Sequence, residues 1–323
     1  MKAQARFFVV IAVLFSLVPL AAQSQAGGPG TIHFAALKGP SGIGMIRLFD
    51  APPELPGARL EAIAVANADI MAAKVVSGEY DMAVLPINMA AKLSSAGIPI
   101  ELCAIVGDGM VSFLTSDAAI RGLADLKGKE VYVAGQGATP DFLMQKLLSS
   151  AGIDPSRELR LSYSLPYPEM AAALAAGKIQ YAVLPEPFAT QAQALNPGLL
   201  SPLDLGALWK NATGQASYPM TALVVSAKLA SSNPAAVKAI LVAVSDSIAW
   251  VKSDPATAGA LVEKHELGLK APIAAKAIPR SAYVFTPARE ARPAVEALLK
   301  VFLAATPASI GGRLPDDAFY AAF

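Results

Sequence analysis

Residues Ile179–Ala189 read IQYAVLPEPFA, and residues Tyr80–Ala90 read YDMAVLPINMA. The two stretches are the same sentence written twice, with Glu186 where the first copy has Ile87. Ala83 and Ala182 stand 99 residues apart, and the same shift carries Met71-Ala72-Ala73 onto Met170-Ala171-Ala172, Gly78 onto Gly177 and Met45 onto Met144. It also lays Ile32–Ala35 (IHFA) on Val131–Ala134 (VYVA), so one ungapped shift aligns two segments of about sixty residues. Alanine-rich sequence matches itself readily, so the weight rests on the shared order of elements.

Each copy reads as strand, small-residue loop, helix, strand, helix, strand. In the first, the strand is Ile32–Leu37, the loop Lys38–Gly42, and a helix starts near Ile43. In the second, the strand is Val131–Ala134, the loop Gly135–Ala138, and the helix is TPDFLMQKLLSSAG, with Thr139 as N-cap, Pro140 in the first turn and Gly152 at the stop. A second strand follows over Arg59–Val65 or Glu158–Tyr163, then a helix ending at Gly78 or Gly177, then DMAVLP or QYAVLP. Strands that alternate with helices and are apolar throughout argue for parallel sheets covered on both faces. The chain therefore holds two βαβαβ lobes. Thr221–Ser226 reads as a further strand, and NPAAVKAILVAVSDSIAWVKS as a helix with Asn233 as its N-cap and Pro234 at its start. These late elements need a sheet to cover, which sends the chain back onto the first lobe. The crossings fall near Ser112–Asp117 and Gly214–Pro219, and two crossings side by side make a hinge.

A chain of 323 residues is long enough for two lobes. Its hydrophobic content of 54% and mean hydropathy of +0.47 raise the question of membrane insertion. Only Phe7–Ala22 is a long charge-free apolar run. Lys2 and Arg6 precede it and Ser24–Ala26 offers small residues for cleavage, so residues 1–26 read as an export signal peptide. Without them the chain has 24 basic and 25 acidic residues and no Lys/Arg cluster, which leaves no electrostatic footprint for nucleic acid. Cys103, the one cysteine, lies in the apolar run IPIELCAIV and reads as a buried, inert thiol.

In open parallel sheets, ligands bind beyond the carboxyl ends of the strands, where helix N-termini point. Those ends are Lys38–Gly42, Pro86–Met89, Gly135–Thr139 and Pro185–Phe188. Glycine there lets backbone N–H groups approach a ligand. The candidate ligand-binding residues are Lys38, Gly39, Pro40, Ser41, Asn88, Ser112, Gln136, Gly137, Thr139, Glu186 and Tyr218. Lys38 is the one basic residue of the four loops and reads either as a contact to an anion or as a solvated lysine. Glu186 reads either as an acceptor for a ligand N–H or cationic group, or as a carboxylate bonded inside its own turn. A buried unpaired carboxylate is costly, so it has some partner either way. Asn88, Gln136 and Thr139 are divided in the same way between ligand contact and loop capping. Asp141, in the first turn of its helix, already answers part of the helix dipole and disfavours a nitrate or sulfonate there. Tyr218 is placed to stack on a planar ligand; Phe142, Tyr163, Tyr167 and Phe188 offer the same ring chemistry from core or lobe surface.

These residues carry a resemblance. LADLKGKEVYVAGQGATPDFLMQKLLSSAGIDP, MAAALAAGKIQYAVLPEPFATQA, SSNPAAVKAILVAV and the terminal IGGRLPDDAFY together resemble the periplasmic solute-binding proteins of ABC importers, of the nitrate/sulfonate/taurine and thiamine-pyrimidine group. Gln180 stands where that pattern usually has Asp, while Asp81 keeps the pattern in the first copy. The resemblance spans roughly residues 31–323 and implies an α/β, two-lobed type II periplasmic-binding-protein clamshell, each lobe a mostly parallel sheet flanked by helices. The expected division is a signal peptide over 1–26, the first part of lobe I over 27–114, lobe II over 115–214, and the return to lobe I with the C-terminal helices over 215–323. What it implies for function is capture of a small solute between the lobes and delivery to an ABC permease. Glu186 with nearby rings favours a nitrogen heterocycle as that solute, Lys38 with the helix N-termini a sulfonate-like anion, and the first is slightly preferred. The leader peptide places the mature chain in the periplasm, and no cofactor or metal is expected. An enzyme on the same scaffold, of chorismate-dehydratase or pyrimidine-synthase type, is the main alternative. No catalytic cluster of His, Cys or acidic residues supports it, and the synthase would need a cysteine-rich motif that a single Cys cannot supply. A receptor subunit of another transport or sensory system is the third reading.

Overall fold

The computed structural model describes residues 30–133 and 135–323. The expected signal peptide lies outside them, as does Ala134, the expected end of one strand. Among the described residues the strands are β1 (Gly30–Leu37), β2 (Ala58–Val65), β3 (Met82–Pro86), β4 (Ile100–Asp108), β5 (Val111–Thr115), β6 (Glu130–Val133), β7 (Arg160–Ser162), β8 (Tyr181–Pro185), β9 (Pro219–Ser226) and β10 (Tyr283–Pro287). They form a six-stranded sheet in the order β10-β4-β9-β3-β1-β2 and a four-stranded sheet in the order β5-β8-β6-β7. β1 runs parallel to β2 and β3, and β6 parallel to β7 and β8, so each copy of the repeat builds one parallel unit. The α/β, two-lobed class read from the sequence is the one present.

Each unit is completed by an antiparallel strand that follows a crossing. β5 enters the second sheet beside β8, and β9 returns to the first sheet beside β3. The two additions match in register: Val224 faces Ala83 as Leu114 faces Ala182. The first crossing lies between Asp108 and Val111, just ahead of the segment the sequence suggested; the second ends at Pro219.

The ungapped repeat needs one correction. Ile63, Ala35 and Ala83 form a row across the first sheet, and Ser162, Tyr132 and Ala182 the corresponding row across the second. The second and third strands keep the shift of 99, but Ala35 answers to Tyr132, 97 residues on. A slip of two residues returns every side chain to the same face, which is why the hydrophobic pattern hides it. Its consequence is two extra residues between the matched row and the helix that follows: Pro40 comes five positions after Ala35, Thr139 seven after Tyr132.

Alternation along the strands assigns the faces. Phe34, Ala36, Val84, Leu223 and Val225 pack on the long helix Pro234–Ser253 and its neighbours, while Ala35, Ala83, Leu85, Ala222 and Val224 join a second cluster with the helix Ala288–Ala305. In the second sheet Leu114, Ala182 and Leu184 face the helices Tyr167–Ala175 and Phe188–Leu195, and Phe113, Val131 and Val183 face the other way. Phe142 of the helix Thr139–Ser150 meets Phe302 of Ala288–Ala305 with ring centroids 4.2 Å apart, so the last long helix touches both lobes. Asn233 caps Pro234–Ser253 by accepting from the Ala236 amide at 3.0 Å, as the sequence indicates.

Two local expectations fail. The helix expected from Ile43 is two short pieces, Pro40–Gly44 and Ile46–Asp50, joined at Met45. Pro40 suits the first helical position, and close packing accounts for the glycines: a Cβ on Gly42 would lie 2.8 Å from the Leu37 carbonyl, and one on Gly44 would lie 3.1 Å from the Tyr283 ring. Thr139 is not an N-cap. It is the first helical residue and is buried, and Ala138 occupies the cap position without a side-chain bond.

Candidate functional site

The four loops at the strand ends meet. Asn88, after β3, donates from Nδ2 to the Gly137 carbonyl, after β6, at 3.2 Å. Phe188, after β8, brings its ring to 4.0 Å from where a Cβ on Gly39, after β1, would stand. Tyr167 tilts against Phe188 with ring centroids 5.2 Å apart, and its hydroxyl lies 3.0 Å from where a Cβ on Gly135 would stand. Gly39 and Gly135 have φ of 95° and 74°, a region that costs glycine little and other residues more. The seam between the lobes thus has a ring pair on one side and bare backbone on the other. Oδ1 of Asn88 is buried at this seam with no hydrogen-bond partner among the described residues.

Three of the amides that could have cradled an anion are taken. Lys38 and Gly39 donate to the carbonyls of Val65 and Leu267. The Gly137 amide donates to Oδ2 of Asp141 at 2.8 Å, and Oδ1 of Asp141 accepts from Gln145 Nε2 and the Tyr163 hydroxyl. Asp141 is buried. A carboxylate inside the first turn occupies the positive end of the helix dipole with the protein's own charge. This network replaces the missing Thr139 cap. Burial, followed by the bond to Asp141, pushes the Tyr163 hydroxyl pKa upward.

Glu186 directly follows β8 and has only 1% of its surface exposed. Its peptide bond to Pro187 is cis. Its amide donates to the Met110 carbonyl at the first crossing, and its Oε2 accepts from the Thr190 amide at 3.1 Å. Oε1 stands 2.8 Å from Nε of Arg280, which lies just before β10 of the other sheet, though outside hydrogen-bonding geometry. Arg280 also donates to Oε1 of Gln193. Burial pushes the Glu186 carboxyl pKa upward, and Thr190 and Arg280 pull against it. Both readings of Glu186 anticipated a partner; the residue that meets it here is an arginine 94 positions downstream.

Tyr218 is not at the seam. It is fully buried at the second crossing, with Trp209 edge-on at 5.6 Å and its hydroxyl unpartnered among the described residues. Its position before Pro219 marks the second crossing, and the apolar Trp209 side of that crossing takes the ring. Gly109 donates to the Tyr218 carbonyl at 3.1 Å, tying the crossings together. Asp108 lies at the same junction with Oδ1 buried and unpartnered among the described residues; burial raises its pKa, and the Ser217 hydroxyl and Gly109 amide oppose the rise.

Of the other candidates, Lys38 is exposed at the rim, Gln136 is exposed on its loop, and Ser41 is buried in the short helix. The Pro40 carbonyl accepts from the Tyr283 hydroxyl at 2.9 Å. Ser112 pairs with Leu184, one residue short of the Pro185 tip, and is half-buried. Arg280, Gln193, Tyr283 and Asp108 escaped the sequence reading. Arg280 follows a short helix in AIPRSAY, where no period or motif marks it. Asp81 is structural: it accepts from the His33 amide at 2.9 Å, between neighbouring strands and away from the tips.

Comparison with known proteins agrees with this architecture. The family described as NMT1-like matches residues 43–264. The nitrate/nitrite binding protein NrtA of Synechococcus elongatus is 31% identical over 178 residues, which are 53% of this chain and 38% of that protein. The chain therefore aligns with well under half the length of that relative. A solved ABC transporter structure from Parabacteroides distasonis superposes with a TM-score of 0.78 at 27% identity, covering 90% of this chain and 99% of that one. The periplasmic aliphatic sulphonate binding protein SsuA of Escherichia coli gives 0.66 at 19% identity, covering 88% and 92%. The periplasmic nitrate-binding protein NrtA of Synechocystis PCC 6803 gives 0.61 at 16%, covering 87% and 84%. At those lower identities the likeness is one of fold.

Proposed function

The chain belongs to the NMT1-like family, and on that premise we propose that it is an exported binding protein that holds a small, planar, nitrogen-bearing organic solute between its lobes and presents it to an ABC permease. The observation that carries the reading is the seam itself: duplicated tips close on one another through Asn88 and Gly137 and leave Asn88 Oδ1 as a buried acceptor without a partner. An unpartnered buried acceptor calls for an N–H or O–H donor. Tyr167 and Phe188 supply ring faces at the same seam, against Gly135 and Gly39. A nitrate or sulfonate suits the seam less well, because the Lys38, Gly39 and Gly137 amides are taken and Asp141 already fills the helix N-terminus. Capture is favoured over turnover by the same geometry, since Asp141 and Glu186 are both buried and engaged within the protein. Closure follows from differential contact: a solute touching both lobes gains its full interaction only in the closed form.

A melting-temperature screen tests the proposal. Cytosine and 4-aminopyrimidine represent the neutral heterocycles, nitrate and methanesulfonate the anions. A true ligand at about 100 times its Kd adds roughly 2.7 kcal/mol of stability. The proposal expects a shift from a heterocycle and none from the anions; stabilisation by nitrate or methanesulfonate alone would contradict it.

A further inference from the structure

We infer that Arg280 is the residue that latches the first lobe to the second, through the buried Glu186 carboxylate and Gln193, and that this latch sets the balance between closed and open forms before any solute arrives. The inference rests on the closing motion of the proposed function but concerns the solute-free protein.

Arg280 belongs to the turn between the helix Ala271–Ala277 and β10, at the edge of the six-stranded sheet. Both groups it meets belong to the other lobe: Glu186 directly follows β8, and Gln193 lies on the helix Phe188–Leu195. The helices Ala271–Ala277 and Phe188–Leu195 pack against each other beside them. The pair is unlike the surface ion pairs of this chain, because the Glu186 side chain is 2% exposed while that of Arg280 is 40% exposed. The carboxylate is thus fixed and dry, bonded at one oxygen to Thr190, and the guanidinium arrives from solvent. Apart from Arg280, Oε1 of Glu186 has no polar partner among the described residues. Opening the lobes would exchange the arginine for water at that oxygen.

Such an exchange is close to balanced, since the cost of drying two charges nearly offsets their attraction. A nearly balanced contact is what a two-state element requires, because a modest ligand energy then tips it. The Glu186 amide is bonded to Met110 at the crossing, so the latch is built directly onto the hinge. At the matching position of the first copy stands Ile87, fully buried, so only one side of the seam carries this device.

The test is a distance measurement in the full chain with no solute present. Spin labels are placed at Lys178→Cys and Lys238→Cys, exposed positions on the second and first lobes; native Cys103 is buried. The expected result is a short-distance population in the parent protein. In R280Q, which loses both the ion pair to Glu186 and the hydrogen bond to Gln193 Oε1, the ratio of short to long populations should fall by about tenfold, the scale of a hydrogen bond from a charged group. E186Q, which keeps the bond from Arg280 to Gln193, should shift the ratio in the same direction but by less, and the double variant no more than R280Q alone. An R280Q distribution identical to the parent would overturn the latch, as would additive shifts in the double variant. If R280Q does not fold, E186Q decides by itself: a folded E186Q with the parent distribution overturns the inference. Because no solute is used, failure here leaves the proposed ligand class standing, and failure of the melting screen leaves the latch standing.

Discussion

Asn88 donates to the Gly137 carbonyl at 3.2 Å while its own Oδ1 is left buried and unpartnered among the described residues. The side chain therefore does two things: it joins the lobes and it presents an acceptor at their seam. Truncation to alanine removes a hydrogen bond worth about 1 kcal/mol and also removes an unsatisfied atom, so N88A should melt close to the parent without solute. Affinity for a stabilising heterocycle should fall about tenfold, equivalent to about 1.4 kcal/mol. Calorimetric titration checks this; unchanged affinity would take Asn88 out of the site.

Asp141 is the carboxylate on which the loop Gly135–Ala138 closes. D141N keeps the shape but loses the charge that binds the Gly137 amide, Gln145 and Tyr163. Bonds to charged groups are worth about 1.5–3 kcal/mol, so the variant should lose about 2 kcal/mol in chemical denaturation. It should also release the helix N-terminus to an external anion, and methanesulfonate should bind D141N better than the parent. Equal anion binding by both would contradict the electrostatic account of the seam.

Tyr218 separates a core ring from a ligand-stacking ring. Its side chain is fully buried against Trp209 and its hydroxyl has no partner among the described residues. Y218F therefore removes only an unsatisfied group and should be neutral or slightly stabilising. Y218A should cost about 3–5 kcal/mol, as large aromatic truncations in cores do. Neither should alter the solute preference of the folded protein. A change of preference in Y218F would return the ring to the site.

Asp108, at the first crossing, should give the fold a pH dependence. Burial raises its pKa in the folded chain, so the fold retains a proton that the unfolded chain has lost. The penalty for the buried charge is fully present above the raised pKa and is relieved as pH falls through it. D108N carries no such penalty. The stability difference between D108N and the parent should therefore favour the variant most above the raised pKa and shift toward the parent as the solution is acidified. Denaturation series run at falling pH measure this difference directly, and a gap independent of pH would refute the assignment.

The repeat made most of the fold legible. Met82–Pro86 and Tyr181–Pro185 are apolar, β-rich and followed by small residues, and both became the buried third strand of a parallel unit. Asn233-Pro234 marked a helix start because cap chemistry is local. The two-residue slip of β1 was invisible because period two conceals it. The site was legible only as loops. Gly39, Asn88 and Gly137 could be placed at the tips from strand order alone, whereas Arg280 lies far downstream, in a turn without periodicity. Tyr218 was misplaced because proximity to a crossing does not say which way a ring points. Trp209 decides that, and it reaches Tyr218 only through tertiary packing.

The central claim is most directly tested by a crystal structure of the complex with whichever heterocycle gives the largest melting shift. The account predicts the solute at the seam, with a donor on Asn88 Oδ1, a ring against Tyr167 or Phe188, and contacts to both sheets. A solute bound to one lobe alone, or away from the tips after β1, β3, β6 and β8, would contradict it.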